Sequence, residues 1–124
     1  MIRFNPPYRT NKELNNIRDA INNGNLSGNG KYTKKCSNLL STYLSNPAKV
    51  LITHSCTAAL EMAAILLNIK PGDQIIMPSY TFVSTANAFV LRGGIPVFID
   101  IRNDTLNIDE TLIEGAITKK TKAI

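Results

Sequence analysis

The chain has 124 residues, 44% of them hydrophobic and 19% charged, which bounds it to one domain or part of one and excludes a complete multi-domain enzyme, a disordered tail or a collagen-like rod. No stretch approaches the roughly 20 consecutive apolar residues of a membrane-spanning helix, and the opening Met1-Ile2-Arg3-Phe4-Asn5-Pro6-Pro7 lacks the build of a signal peptide, so the cytoplasm is the expected compartment. Fourteen Lys and Arg against nine Asp and Glu leave a net charge of +5 that suits an anionic partner; the basic residues are scattered without interleaved aromatics, so no nucleic-acid face is expected.

In chain order, Thr10-Asn11-Lys12-Glu13 has the spacing of a capping box, and Leu14, Ile17 and Ile21 follow at helical spacing up to a stop at Gly24. The next segment, Asn25-Leu26-Ser27-Gly28-Asn29-Gly30-Lys31, is rich in residues that tolerate positive φ and reads as a loop. Tyr32, Cys36, Leu39, Leu40, Tyr43 and Leu44 mark a second amphipathic helix, ended by Asn46-Pro47. Residues 1–47 are thus expected to be a helical segment with its loop, and residues 48–124 the start of an α/β domain.

From Ala48 the texture changes. Lys49-Val50-Leu51-Ile52-Thr53 is a short apolar run rich in β-branched residues and predicts a strand, followed by helix formers over 58–69. Pro71-Gly72-Asp73 turns the chain, Gln74-Ile75-Ile76-Met77-Pro78 predicts a second strand, 81–92 a helix, Gly93-Gly94 its stop, and 96–101 a third strand. A helix with Asp109 as N-cap is expected to run to about Ile117, before a fourth strand begins at Thr121. Alternation of strand and helix predicts a parallel sheet. A fourth strand only just begun at Ile124 leaves that sheet incomplete, so the chain is expected to be the N-terminal part of a longer protein with an open strand edge and exposed apolar surface.

Ligands of open parallel sheets bind beyond the carboxyl ends of the strands. There, His54-Ser55-Cys56-Thr57-Ala58 turns directly into a helix, and free N–H groups beside the Ser55 and Thr57 hydroxyls form a cradle for a phosphate; the same residues also suit an ordinary Ser/Thr N-cap. After the second strand, Ser79-Tyr80-Thr81-Phe82 places aromatics where one can lie on a planar cofactor or else pack into the core. Asp100 ends the third strand, either as a polar group of the site or as a turn former. Two cysteines, Cys36 and Cys56, and a single His leave too few ligands for a zinc site, so no metal is expected.

Three stretches carry a family resemblance: 55–64, the block 72–93 (GDQIIMPSYTFVSTANAFVLRG) and 107–114. Through them the chain resembles the DegT-type sugar-nucleotide aminotransferases, pyridoxal-phosphate enzymes with the aspartate-aminotransferase fold (fold type I), along almost its entire length. The resemblance implies that the chain is part of the large cofactor-binding domain, a mostly parallel sheet with flanking helices. It implies that backbone amides of Thr57 and Ala58, with Ser55 beside them, hold the cofactor phosphate. Phe82 would cover the pyridine ring, with Tyr80 as second choice. Leu26, Ser27 and Gly28 would form the loop that reaches substrate at a homodimer interface. Cys56 stands where many members have Gly, and His54 matches no functional position.

In the family the Schiff-base lysine lies beyond the point where this chain ends, and Lys49, Lys70 and Lys122 do not match it, so no catalytic residue is expected here and the isolated chain is expected to be inactive. The implied reaction moves an amino group from glutamate to a dTDP-4-keto-6-deoxyhexose, for bacterial surface polysaccharide such as enterobacterial common antigen or lipopolysaccharide. Alternatives are a family enzyme acting on another keto sugar, a dehydratase relative, or a non-catalytic remnant of an interrupted gene. A freestanding mononucleotide-binding module is disfavoured, because no GxGxxG follows the first predicted strand.

Overall fold

A computed structural model describes residue 2 and residues 4–44 and 49–124. The chain forms two compact units, Met1–Ile52 and Thr53–Ile124. The boundary expected between residues 47 and 48, and the Asn46-Pro47 helix stop, lie outside the described residues.

The first unit contains helices α1 (Glu13–Asn22) and α2 (Lys31–Tyr43). Half of the expected capping box forms at α1. Glu13 Oε1 accepts from the Thr10 N–H at 2.6 Å, while the Thr10 hydroxyl oxygen takes the Lys12 N–H at 3.3 Å rather than that of Glu13. The Thr10 N–H holds the Glu13 carboxyl below the usual carboxylate range. Gly24 ends this helix at φ +67°, the left-handed region glycine enters without penalty. Neither helix contains a buried residue. Asp19 ties the two together, accepting from Lys31 Nζ at 2.8 Å and from the Tyr32 hydroxyl at 3.0 Å. Lys31 in turn draws the Asp19 carboxyl down.

The second unit is an α/β layer. Helix α3 (Cys56–Leu66) leads to strand β1 (Gln74–Pro78), helix α4 (Val83–Val90) to strand β2 (Ile95–Ile99), and a 3-10 turn (Glu110–Leu112) with the one-turn helix α5 (Ile113–Ala116) to strand β3 (Thr121–Ala123). The sheet order is β2-β1-β3, and β1 is parallel to both neighbours, with Gln74 opposite Ile95 and Thr121. As the middle strand, β1 buries Ile75, Ile76 and Met77 on both faces, which is why its apolar run is continuous rather than alternating. Ile75 and Met77 join Ala64, Ile69, Ala88 and Phe89 in the core that α3 and α4 complete. Among the described residues no helix is long and apolar enough to cross a membrane.

Helices α3 and α4 end in the same device. Asn68 at φ +52° follows α3, its N–H bonded to Ile65 O and that of Ile69 to Ala64 O. Gly93 at φ +83° follows α4, its N–H bonded to Val90 O and that of Gly94 to Phe89 O. Each is a Schellman stop that satisfies two otherwise orphaned carbonyls. At Gly94 a Cβ would come within 2.8 Å of Ile75 Cδ1, so the absence of a side chain is a packing requirement there.

Several predicted elements change. Residues 49–53 form no strand, although their composition predicts one; a strand exists only through a ladder, and these residues pair with none of the described strands. The third predicted strand stops at Ile99, because Asp100 O accepts from the Asp109 N–H and Ile101 pairs antiparallel with Ile108 in a short excursion. Asp109 is the expected N-cap, accepting from the Thr111 N–H at 3.0 Å, but it nucleates a 3-10 turn and a single α-turn rather than a full helix. Helix α4 starts at Val83 instead of 81, with Phe82 in extended conformation as its N-cap.

Candidate functional site

All three strands are parallel, so their carboxyl ends share one side of the second unit. Helix α3 precedes β1 and runs back along the sheet, which brings its N-terminus to that same side. The topology therefore gathers Ser55, Cys56, Thr57 and Ala58 with the β1–α4 connection that carries Tyr80 and Phe82, and with Asp100 after β2.

At the α3 start, Ser55 is the N-cap, its backbone extended at φ −158° and ψ 159°. Its Oγ accepts from the Ala58 N–H at 3.1 Å, and its carbonyl accepts the first helical bond from the Ala59 N–H at 3.2 Å. A second anchor comes from Thr53, whose half-buried hydroxyl donates to the same Ser55 carbonyl at 2.8 Å. The N-cap reading of this turn holds. Ser55 is an ordinary N-cap, and it takes the Ala58 N–H, one of the two amides expected to face the phosphate. The N–H groups of Cys56 and Thr57 have no acceptor among the described residues, and neither do the Ser55 and Thr57 hydroxyl protons. Cys56 is exposed and has no left-handed φ, so the backbone does not require glycine at this position.

Phe82 is 75% exposed and Tyr80 67% exposed. Phe82 does not pack into the core of this unit, whereas Phe89 does. Tyr80 and Thr85, with Leu60, Met77 and Ile108, line an apolar groove of about 710 Å³ along this unit. Asp100 uses its Oδ1 on the Ile101 N–H at 2.8 Å and its carbonyl on Asp109, which makes it a turn former. His54 is exposed in the bend before α3.

Leu26, Ser27 and Gly28 lie in the other unit, on the exposed loop between α1 and α2. Leu26 and Ser27 line a cavity of about 310 Å³ together with Asn23, Asn25, Lys31 and Tyr32. A Cβ at Gly28 would meet nothing within 4 Å, so its own unit sets no steric demand for glycine. The residue that sequence reasoning missed is Thr53, which the strand reading absorbed. A hydroxyl two residues before a Ser N-cap was the available clue.

A family model described as the DegT/DnrJ/EryC1/StrS aminotransferase family matches residues 7–124. Among curated relatives, the 3-oxo-glucose-6-phosphate:glutamate aminotransferase of Bacillus subtilis is 38% identical over 111 residues, covering 90% of this chain and 25% of the relative. The spore coat polysaccharide biosynthesis protein SpsC of Bacillus subtilis is 35% identical over 121 residues, covering 98% of this chain and 31% of the relative. Among solved structures, Spr1654 of Streptococcus pneumoniae, known in PLP and PMP forms, superposes with a TM-score of 0.83 at 36% identity over 97% of this chain and 30% of its own. The chain spans between about a quarter and a third of the length of the curated relatives it matches.

The α3 turn fits the phosphate of such a cofactor. A phosphate is stabilised by convergent N–H and O–H donors at a helix start, where the helix dipole adds partial positive charge. Two unspent amides and two unspent hydroxyls occur here within three consecutive residues.

Proposed function

The chain belongs to the DegT/DnrJ/EryC1/StrS aminotransferase family, and on that premise we propose that it is the N-terminal third of a pyridoxal-phosphate sugar aminotransferase and supplies the seat for the cofactor phosphate. The observation that carries this reading is the unspent donor set at the start of α3. Thr57 would hold the phosphate by its N–H and hydroxyl, and Cys56 by its N–H. The Ser55 hydroxyl can donate to the phosphate while its oxygen still accepts from Ala58, because a hydroxyl both donates and accepts. Ala58 would then act through Ser55, strengthening its O–H as a donor. Phe82, exposed at the same side of the sheet, would cover one face of the ring and keep water from it, with Tyr80 as the neighbouring wall.

When bound, the cofactor supplies the electron sink through which an amino group passes between donor and acceptor. No proton-transferring role is assigned to a residue of this chain. We propose glutamate as donor, which the name of the Bacillus subtilis relative supports. The proposed acceptor is a dTDP-4-keto-6-deoxyhexose, as in a dTDP-4-amino-4,6-dideoxygalactose transaminase serving enterobacterial common antigen or lipopolysaccharide. The polysaccharide role of SpsC supports that setting in kind. Leu26, Ser27 and Gly28 would meet the nucleotide sugar at a homodimer interface, and the site would be cytoplasmic.

A second reading has its own support. The Bacillus subtilis aminotransferase 38% identical to this chain is named for a phosphorylated keto sugar without a nucleotide, so such a sugar is the competing acceptor. The test is incubation of the full-length polypeptide with cofactor, glutamate and each acceptor in turn, with mass spectrometry of the sugar. Amination of the dTDP-linked sugar is the expected result. Amination of the sugar phosphate alone overturns the acceptor assignment, and failure to retain the cofactor overturns the whole reading. The 124-residue chain by itself is expected to turn over neither.

A further inference from the structure

We infer that Thr53 is a positioning residue for the cofactor phosphate, acting through the Ser55–Cys56 peptide plane. This inference rests on the phosphate seat proposed above and names a residue that does not itself touch the phosphate. A peptide unit is rigid and flat, and in its trans form the carbonyl and the following N–H point in opposite directions. No cis bond occurs among the described residues. Whatever fixes the direction of the Ser55 carbonyl therefore fixes the direction of the Cys56 N–H, one of the two unspent amides.

Two donors pin that carbonyl. The Ala59 N–H reaches it at 3.2 Å as the first bond of α3, and the hydroxyl of Thr53, two residues before Ser55, reaches it at 2.8 Å. The Ala59 bond alone leaves the plane free to rock, because the first turn of a helix holds its leading peptide by one bond only. The Thr53 bond closes the remaining freedom. It is half-buried, so water competes with it less than at an open surface.

Among the described residues the Thr53 hydroxyl has no other hydrogen-bond partner. The residue belongs to no strand, although its β-branched neighbours predict one. Its side chain thus supports the helix start rather than a ladder. Preorganised donors bind without a reorganisation cost, so a loosened plane weakens phosphate capture while leaving ring contacts alone.

The test is titration of the full-length polypeptide with pyridoxal phosphate and, separately, with pyridoxal, which has the ring but no phosphate. Thr53→Val removes the hydroxyl and keeps the shape, and Thr53→Ser restores the hydroxyl without the methyl. Thr53→Val is expected to weaken pyridoxal phosphate about 3- to 10-fold, the span of one net hydrogen bond, with pyridoxal unchanged and the melting temperature within a degree or so. Thr53→Ser is expected to return the wild-type ratio of the two affinities. The 31P resonance of the bound cofactor should move in Thr53→Val and return in Thr53→Ser.

Equal weakening of both ligands in Thr53→Val would show a general packing role and overturn the inference. So would an unchanged ratio, or a Thr53→Ser variant that behaves like Thr53→Val. If the wild-type polypeptide binds pyridoxal phosphate no more tightly than pyridoxal, the phosphate seat itself is wrong and Thr53's part in it falls with it. That result is distinguishable, because it appears before any variant is made.

Discussion

The two compact units differ in what their apolar residues achieve. In Thr53–Ile124, a three-stranded parallel sheet lies against α3 and α4, and every fully buried hydrophobic side chain of the described residues is there. In Met1–Ile52, two amphipathic helices carry comparable apolar stripes, yet Leu14 remains 74% exposed and neither helix buries a residue. The central strand of the sheet is covered on both faces, so that Ile75, Ile76 and Met77 are all buried, Ile76 to 1% exposure. Among the described residues of the first unit, no side chain of either helix is enclosed in this way. An amphipathic pattern thus states which face seeks burial, and only neighbouring elements supply it.

The largest expected effect separates the units by stability. Ile76→Ala should cost about 2–5 kcal/mol by chemical denaturation, the range for truncating a buried aliphatic side chain. Leu14→Ala should stay within about 0.5 kcal/mol. A cost at Leu14 equal to that at Ile76 would break the comparison and show that the α1 stripe has a partner.

The next effects sharpen it on the functional side. Thr57→Pro removes two unspent donors, the N–H and the hydroxyl of Thr57, in the first turn of α3, where proline is tolerated. Loss of these two charge-assisted donors should weaken pyridoxal phosphate by about 100-fold or more in a cofactor titration. Phe82→Ala should cost less, about 2- to 10-fold, since stacking contributes roughly 0.5–1.5 kcal/mol beyond area burial. The reverse order would mean that the ring, not the phosphate, dominates binding.

The smallest effect is electrostatic. The Thr111 hydroxyl and N–H hold the Asp109 carboxyl below its ordinary range. A group whose folded pKa is depressed contributes stability above its unfolded pKa and loses it as pH falls through the folded value. Protection of the Thr111 amide from hydrogen exchange should therefore be flat above about pH 5 and decline in acid. Asp109→Asn should flatten that decline. A pH-independent wild-type amide would remove Asp109 from the cap.

Much of this was legible in order along the chain, for local reasons. The continuous run Gln74–Pro78 announced a strand buried on both faces, and Gly93-Gly94 announced a helix stop that φ +83° and a close approach to Ile75 require. The hydroxyl-rich turn at 55–57 announced a helix start with spare donors, because Ser and Thr compete for backbone groups within two or three residues of themselves.

What the sequence by itself determined were these local choices of cap, stop and strand, each settled within a few residues. Tertiary structure alone decided the rest. It gave residues 49–53 no ladder among the described strands, since pairing needs a neighbour that composition cannot name. It placed Phe89 rather than Phe82 in the core, since burial depends on which side chain faces α3 and the sheet. It also turned the Thr53 hydroxyl onto the Ser55 carbonyl, since a hydrogen bond forms only where the folded backbone sets donor and acceptor at contact distance.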